Sequence, residues 1–491
     1  KLTERLQRSN TRGDSGQRIV NLCILPLHPG LNALALGQTL CARLSRQIDA
    51  GPDAPVALLD PERVAGLLGL DVTRLGEETT PEHPRLLLWL EQQELGHRLQ
   101  IWVARAEDCP WTRLCLRHAD QVLLAADADS SPEPSLVERR YLQPDSTPRP
   151  AQSLWLLHPT DRTIPRGTAA WLAARPQLDS ARFSHFHTRR QHQGDWDRLA
   201  RILSGRATGL VFAGGGARGF AQLGVMQALE EQGREWDMVA GTSIGAVMAA
   251  YAGMDLNCDR LIRLAGQAFS RNPTGDFNWL PLFSLFRGKR LARVIRDAVQ
   301  AAVGAPIDIE DLWKPYFCVA SNFSRGEMQV LRRGNLASCI TASVSIPALL
   351  PPVLWQGELL TDGGSFNNYP VDLMRQAGAS QVIGVSMSRK VSEPLPFSRL
   401  PGLGEILFDR LFRPRARQKY RALPHMAGML IHVAAMSSAC HEKRMQADVD
   451  LGFTPDVSAI GTLDWSAFDR VVAIGREHAR AVLTSRSTPP G

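Results

Sequence analysis

The sequence predicts an α/β protein of two successive units, the first a doubly wound parallel sheet. Three observations predict it. Short apolar runs alternate with helical patterns over the first 176 residues, the order that builds parallel sheets. A second series of the same kind starts at Thr208, after a basic, histidine-bearing stretch. Within that second series, two strands each run into a glycine-containing turn and then into a helix.

In the first unit, Ile19–Leu25, Val56–Leu59, Leu99–Val103, Gln121–Ala125 and Leu154–Leu157 read as strands, with Leu31–Gln47, Pro84–Leu95 and Trp111–His118 as helices between them. The expected divisions are an N-terminal helical remnant (1–17), a first α/β unit (18–176), a linker and helix (177–207), a second α/β unit (208–390) and a basic amphipathic and helical region (391–491). The first strand opens into "PLHPG" with no phosphate-binding glycine fingerprint, which favours a regulatory or scaffolding role over nucleotide binding. The proline-bearing stretch Asp127–Pro150 reads as an irregular surface loop. His185, His187 and His192 read as part of a solvated linker rather than a metal site, ahead of a helix at Trp196–Leu203.

Composition narrows the function. Hydrophobic residues make up 44% and charged ones 21%, which suits a globular chain with large cores. No run reaches the roughly 18 uninterrupted apolar residues of a spanning helix. The polar start, "KLTERLQRSN", carries no secretory signal and no initiator Met, so the chain is expected to continue upstream. Eight scattered cysteines without a C-x-x-C point to free thiols in a reducing, cytoplasmic compartment. A net charge of +7 permits attraction to an acidic surface; nucleic acid is not expected as a partner.

The chemistry concentrates in the second unit. Strand Leu210–Ala213 enters "GGGARG", and helix Phe220–Glu231 follows. Gly214, Gly216 and Gly219 satisfy the dinucleotide spacing, but the next strand, Met238–Ala240, does not end in the ribose-gripping acid such a site needs; Asp237 precedes it. A P-loop needs Gly-Lys-Ser/Thr after its glycines, and Ala217-Arg218-Gly219 stands there instead. The second strand runs into "GTSIG", a nucleophile elbow that presents Ser243 at a tight turn between Gly241 and Gly245. What remains for the glycine run is to hold an oxyanion with backbone N–H groups at a helix N-terminus. Arg218 places a cation in a first helical turn, against the dipole, as functional sites often do.

Ser243 needs a base. All twelve histidines lie outside 193–424, so a Ser-His-Asp arrangement would have to borrow His425, His432, His441 or His478. A local carboxylate is simpler. In "LLTDGGSFNNYP", Asp362 follows an apolar strand, Glu358–Leu360, and precedes two glycines. Read by itself, this stretch is a D-G hairpin turn; beside a serine elbow and a glycine loop it becomes the expected base.

The motifs "GGGARG", "GTSIG" and "DGG", in that order, resemble the patatin-like phospholipases, and "PWTRLCLRHADQVLLAA" and "RLARILSGRATGLVFAGGGARGFAQLGVMQAL" extend the resemblance to the neuropathy target esterase branch. That resemblance implies a patatin-like catalytic domain after the Rossmann-like one, and a lysophospholipase working through a Ser–Asp dyad without metal or cofactor. It implies Ser243 as nucleophile, Asp362 as base, an oxyanion loop of Gly214, Gly215, Gly216, Arg218 and Gly219, and an aspartate motif completed by Gly363 and Gly364. Ala213 departs from the branch, which often has a further glycine there. Upstream cyclic-nucleotide-binding domains and a membrane anchor, common in the branch, are not in this sequence.

Two stretches are expected to meet a membrane surface peripherally: Asp276–Arg290, with aromatic and aliphatic anchors before three cations, and Glu405–Arg421, with six basic residues from Arg410 onward. The segment Ala342–Trp355 is expected to line the acyl pocket. The alternatives are a carboxylesterase of α/β-hydrolase type that borrows a C-terminal histidine, a lipid-binding regulatory module without turnover and, weakest, a nucleotide-dependent oxidoreductase.

Overall fold

The computed structural model describes residues 19–48, 56–142, 150–179, 183–270, 272–280, 282–387, 399–414, 420 and 441–487. The expected helical remnant at 1–17 lies outside them, as do His425, His432 and most of the basic run after Arg413.

Six strands form the first sheet: β1 Asn21–Pro26, β2 Val56–Leu59, β3 Leu99–Val103, β4 Gln121–Asp127, β5 Ala151–His158 and β6 His185–Arg189. They are all parallel, in the order β2-β3-β1-β4-β5-β6. Strands β1, β3 and β4 are buried along nearly their whole length, as central parallel strands with helices on both faces must be.

β6 overturns the solvated linker. Its Phe186, His187 and Thr188 are buried, and the helix that follows, Gln193–Leu203, lies between the two units rather than outside them. Trp196 on that helix packs edge-on against Trp155 of β5; Arg201 pairs with buried Asp237 at the foot of the second sheet. The polar letters misled because their partners are distant in sequence. The stretch 127–150 also carries more order than expected. A capping box on Ser135 starts the helix Leu136–Tyr141, whose Glu138 is buried against Arg175 at 2.7 Å.

The second sheet comprises β7 Thr208–Phe212, β8 Met238–Thr242, β9 Tyr316–Asn322, β10 Glu327–Leu331, β11 Val353–Trp355, β12 Glu358–Asp362, β13 Gln381–Val385 and β14 Leu451–Phe453. Its order is β11-β12-β9-β8-β7-β13-β14, with β10 also on β9. The β9-β8-β7-β13-β14 part is parallel and β10, β11 and β12 are antiparallel. Residue 390 is therefore not a boundary of the fold. β14 extends this sheet, and helix Phe468–Ser487 packs on helix Ala221–Glu231 so closely that a Cβ on Gly475 would sit 2.0 Å from the Ala221 carbonyl.

Polar contacts fix the two units together. Arg189 reaches Asp195 at 2.7 Å and Asp255 at 2.5 Å, and Lys314 joins Asp255 at 3.3 Å. His185 and His187 both reach the Glu310 carbonyl, at 3.0 and 2.8 Å. Seven described cysteines are free thiols. No helix among the described residues is long and apolar enough to cross a membrane.

Candidate active site

The site sits where β7, β8 and β12 end. β8 delivers Ser243 at φ 56°, ψ −128°, directly before the buried helix Ile244–Gly253. A residue with a Cβ avoids that conformation, and strain of this kind costs about 1–3 kcal/mol unless surrounding contacts hold it. The neighbours explain both glycines of the elbow. A Cβ on Gly241 would lie 2.2 Å from the Gly245 carbonyl oxygen, and one on Gly245 would lie 2.4 Å from that of Phe212.

The contact that holds the strain was not legible beforehand. The Ser243 N–H donates to the Ser343 hydroxyl at 2.9 Å, and that hydroxyl donates to the Val319 carbonyl at 2.6 Å. Thr242 Oγ1 donates to the Asn367 carbonyl at 2.8 Å.

β12 brings Asp362 to the serine. It is not a hairpin residue: the tight turn lies five and six residues earlier, at Gln356-Gly357, both with positive φ, and joins β11 to β12. Asp362 is fixed through its backbone, its N–H donating to the Ser345 carbonyl at 2.8 Å and its carbonyl accepting from Ser321 Oγ at 2.7 Å. Its carboxylate accepts from the Gly364 N–H at 2.7 Å and lies beside the Ser243 side chain. Burial raises this carboxyl to about 6, and the Ser243 hydroxyl and the Gly364 N–H hold it from going higher. Gly363 is required by crowding, since a Cβ would lie 2.2 Å from the Val319 carbonyl oxygen.

The glycine loop divides by what each amide does. Gly214 differs from expectation: its N–H donates to the Asn368 carbonyl at 3.1 Å, so it is not available to an oxyanion. It serves by closeness instead, a Cβ there lying 3.0 Å from that of Ser243. The amides of Gly215 and Gly216 have no hydrogen-bond acceptor among the described residues. Arg218 donates from Nε to the Ile460 carbonyl at 2.7 Å, while the Ala217 N–H meets the Thr462 carbonyl at 2.8 Å. The cation that opposes the helix dipole is thus a strut tying the loop to 460–462. Gly219 packs against Ile244 with no room for a side chain, since a Cβ there would lie 2.4 Å from Ile244 Cγ2.

Asn368 was also missed. Its Nδ2 lies 3.3 Å from both the Gly214 carbonyl and Glu442. The repeated asparagines of "SFNNYP" were the only signal. Among the histidines, His441 lies 3.6 Å from Asp372, and His478 accepts from the Thr454 N–H at 3.0 Å; neither pairs with Ser243 or Asp362. Among the described residues no group of three or more His, Cys, Asp or Glu is arranged to hold a metal. Asp237, the candidate ribose-binding acid, is buried and occupied by Arg201 and the Thr208 N–H.

With this geometry in place, comparison with known sequences gives two family matches. The patatin-like phospholipase family matches residues 210–375, and the P-loop-like domain of the neuropathy target esterase family matches residues 19–189. The chain is 30% identical to patatin-like phospholipase domain-containing protein 6 of Homo sapiens, over 87% of this chain and 32% of that protein. It is 28% identical to neuropathy target esterase sws of Drosophila melanogaster, over 86% of this chain and 31% of that one. Lysophospholipase NTE1 of Mycosarcoma maydis matches at 28% identity, over 96% and 27%. The chain spans about a third of the length of the curated relatives it matches.

Proposed function

Because the chain belongs to the patatin-like phospholipases, in their neuropathy target esterase branch, we propose that it is a serine acyl hydrolase that releases fatty acid from lysophospholipids. One observation carries this reading: the Ser243 side chain lies beside the buried Asp362 carboxylate, whose pKa is pushed up to about 6, near two unclaimed glycine amides.

In the proposed reaction Ser243 Oγ attacks the acyl carbonyl while Asp362 takes its proton. The new oxyanion receives the N–H groups of Gly215 and Gly216, and each such donor is worth about 10²–10³ in turnover. Asp362 then returns the proton to the departing glycerophospho-alcohol, leaving an acyl-serine. Water attacks that ester with the same carboxylate as base, and fatty acid leaves. The raised pKa matters here: a carboxylate near 6 accepts a proton more readily than one near 3.9, yet remains ionised at neutral pH.

The buried run Leu349-Leu350, which follows Ser345, supports an acyl pocket within 342–355. The substrate is proposed to be met at a membrane surface, by peripheral contact. Ser243→Ala should abolish both ester hydrolysis and labelling by a fluorophosphonate probe. Labelling of wild type alone supports the hydrolase over a silent lipid-binding module, and full activity in the variant would refute it. Replacing His441 or His478 by Gln should leave most of the rate, whereas a collapse at either would restore a histidine triad.

A further inference from the structure

Residues 276–280 and 282–287 form a stalk with an apolar tip. Phe277 and Phe286 face each other across an antiparallel bridge with ring centroids 4.7 Å apart. The Asn278 N–H donates to the Leu285 carbonyl at 2.9 Å, and its side-chain amide donates to the Ser284 carbonyl at 2.8 Å. The base is fixed as well, with Leu285 and Phe286 donating to the carbonyls of Ala348 and Leu349, both at 2.9 Å. Those two residues lie three and four positions beyond Ser345, whose own carbonyl holds the Asp362 backbone.

What this stalk holds out is unsuited to water. Trp279 is 94% exposed, Phe283 82%, Leu282 76% and Leu280 65%. Chance exposure of single apolar side chains is ordinary, but a contiguous tip of four on a hydrogen-bonded stalk marks an interaction site. Immediately after it, helix Lys289–Val303 buries Leu291, Ile295, Ala298 and Val299 and leaves Lys289, Arg290, Arg293 and Arg296 exposed. An apolar tip backed by cations has the chemistry of an anionic bilayer surface, with Trp at headgroup depth and basic residues over the phosphates.

We infer that Trp279, Leu280, Leu282 and Phe283 insert into an anionic lipid leaflet, with the basic face of the following helix against the headgroups. This rests on the lipid-hydrolase reading and adds to it the element that meets the lipid. Tip insertion places the 345–349 segment, and with it the site's Asp362 side, at the membrane surface.

The test uses the full chain as wild type, Trp279→Ser/Phe283→Ser, Lys289→Gln/Arg293→Gln/Arg296→Gln, and Ser243→Ala. Each is sedimented with phosphatidylcholine vesicles, with or without phosphatidylserine, and assayed on a soluble short-chain nitrophenyl ester. The tip variant should lose at least tenfold in partitioning while hydrolysing the soluble ester at the wild-type rate. The charge variant should lose binding only where phosphatidylserine is present, and Ser243→Ala should bind like wild type. Wild-type binding by the tip variant overturns the inference. So does a wild-type dimer that the tip substitutions dissociate, since the tip would then belong to a second copy. If wild type binds vesicles but turns over no ester, the hydrolase reading fails and the tip stands.

Discussion

The Ser343 hydroxyl accepts the amide hydrogen of Ser243 at 2.9 Å and passes its own to Val319 at 2.6 Å. It thereby links the strained Ser243 to the strand that pairs with Asp362, since Ala320, next to Val319, is in register with that aspartate. Ser343→Ala leaves a buried N–H and a buried carbonyl without their partner, a loss of about 1–3 kcal/mol. The variant should therefore unfold at lower denaturant, and its fluorophosphonate labelling rate should drop at least tenfold. Unchanged labelling in a destabilised protein would mean that the elbow holds its shape without the serine.

Asp362 makes a prediction with two signs. Its folded pKa, about 6, lies above the unfolded value near 3.9. Between about pH 4 and 6 the folded protein keeps a proton that the unfolded chain has released, so this group's contribution to stability falls as pH rises through that window. Above it, the charged carboxylate costs on the order of 2–3 kcal/mol. Asp362→Asn should thus be inactive yet more stable than wild type at pH 7, with the gap closing toward pH 4. Wild-type kcat/KM should fall about tenfold per pH unit below 6, as the base becomes protonated. Denaturation curves at the two pH values and a pH–rate profile check both signs.

The glycines separate into those that are crowded and those that are not. Gly245→Ala forces a methyl to 2.4 Å from a backbone oxygen that cannot yield, and should give insoluble or inactive protein. Gly215→Ala meets only the flexible Met387 side chain at 3.1 Å and keeps its N–H. It should fold normally and lose less than tenfold in kcat. Soluble expression and soluble-ester kinetics on the two variants test the contrast.

Ser243, Gly241, Gly245 and Asp362 were legible because each motif sits within a few residues at the end of a strand. The supports were not. Ser343 lies 100 residues from Ser243, and Ile460 lies 242 from Arg218, so sequence spacing carries no trace of either contact. The same limit explains β6. Composition alone made "HFHTR" look solvated, because a buried histidine reads like an exposed one until its acceptor is known. The Gly214 amide was expected in the oxyanion hole for a related reason: the motif names the glycines but does not say which N–H groups a neighbouring strand has already engaged.

Those buried histidines carry the last prediction. His187 Nε2 faces the Glu310 carbonyl at 2.8 Å, so it must be the protonated nitrogen, and Nδ1 then accepts from His158 Nε2 at 2.9 Å. His187 is consequently neutral in the folded state, and burial disfavours a charge on His158. Burial lowers His158 to about 4 and His187 to about 3, with Arg162 and His158 respectively reinforcing the shift. The unfolded chain protonates both near 6.5, so it binds more protons than the folded one below that pH, and stability falls as pH drops. By pH 5 each ring costs about 2 kcal/mol relative to pH 7, taking 1.4 kcal/mol per unit. His158→Gln keeps a donor for His187 but cannot titrate. Its stability deficit against wild type should therefore shrink by about 2 kcal/mol between pH 7 and pH 5. A deficit that stays constant across that interval would mean that burial does not hold His158 neutral in the folded protein, and the proposed destabilisation would be wrong.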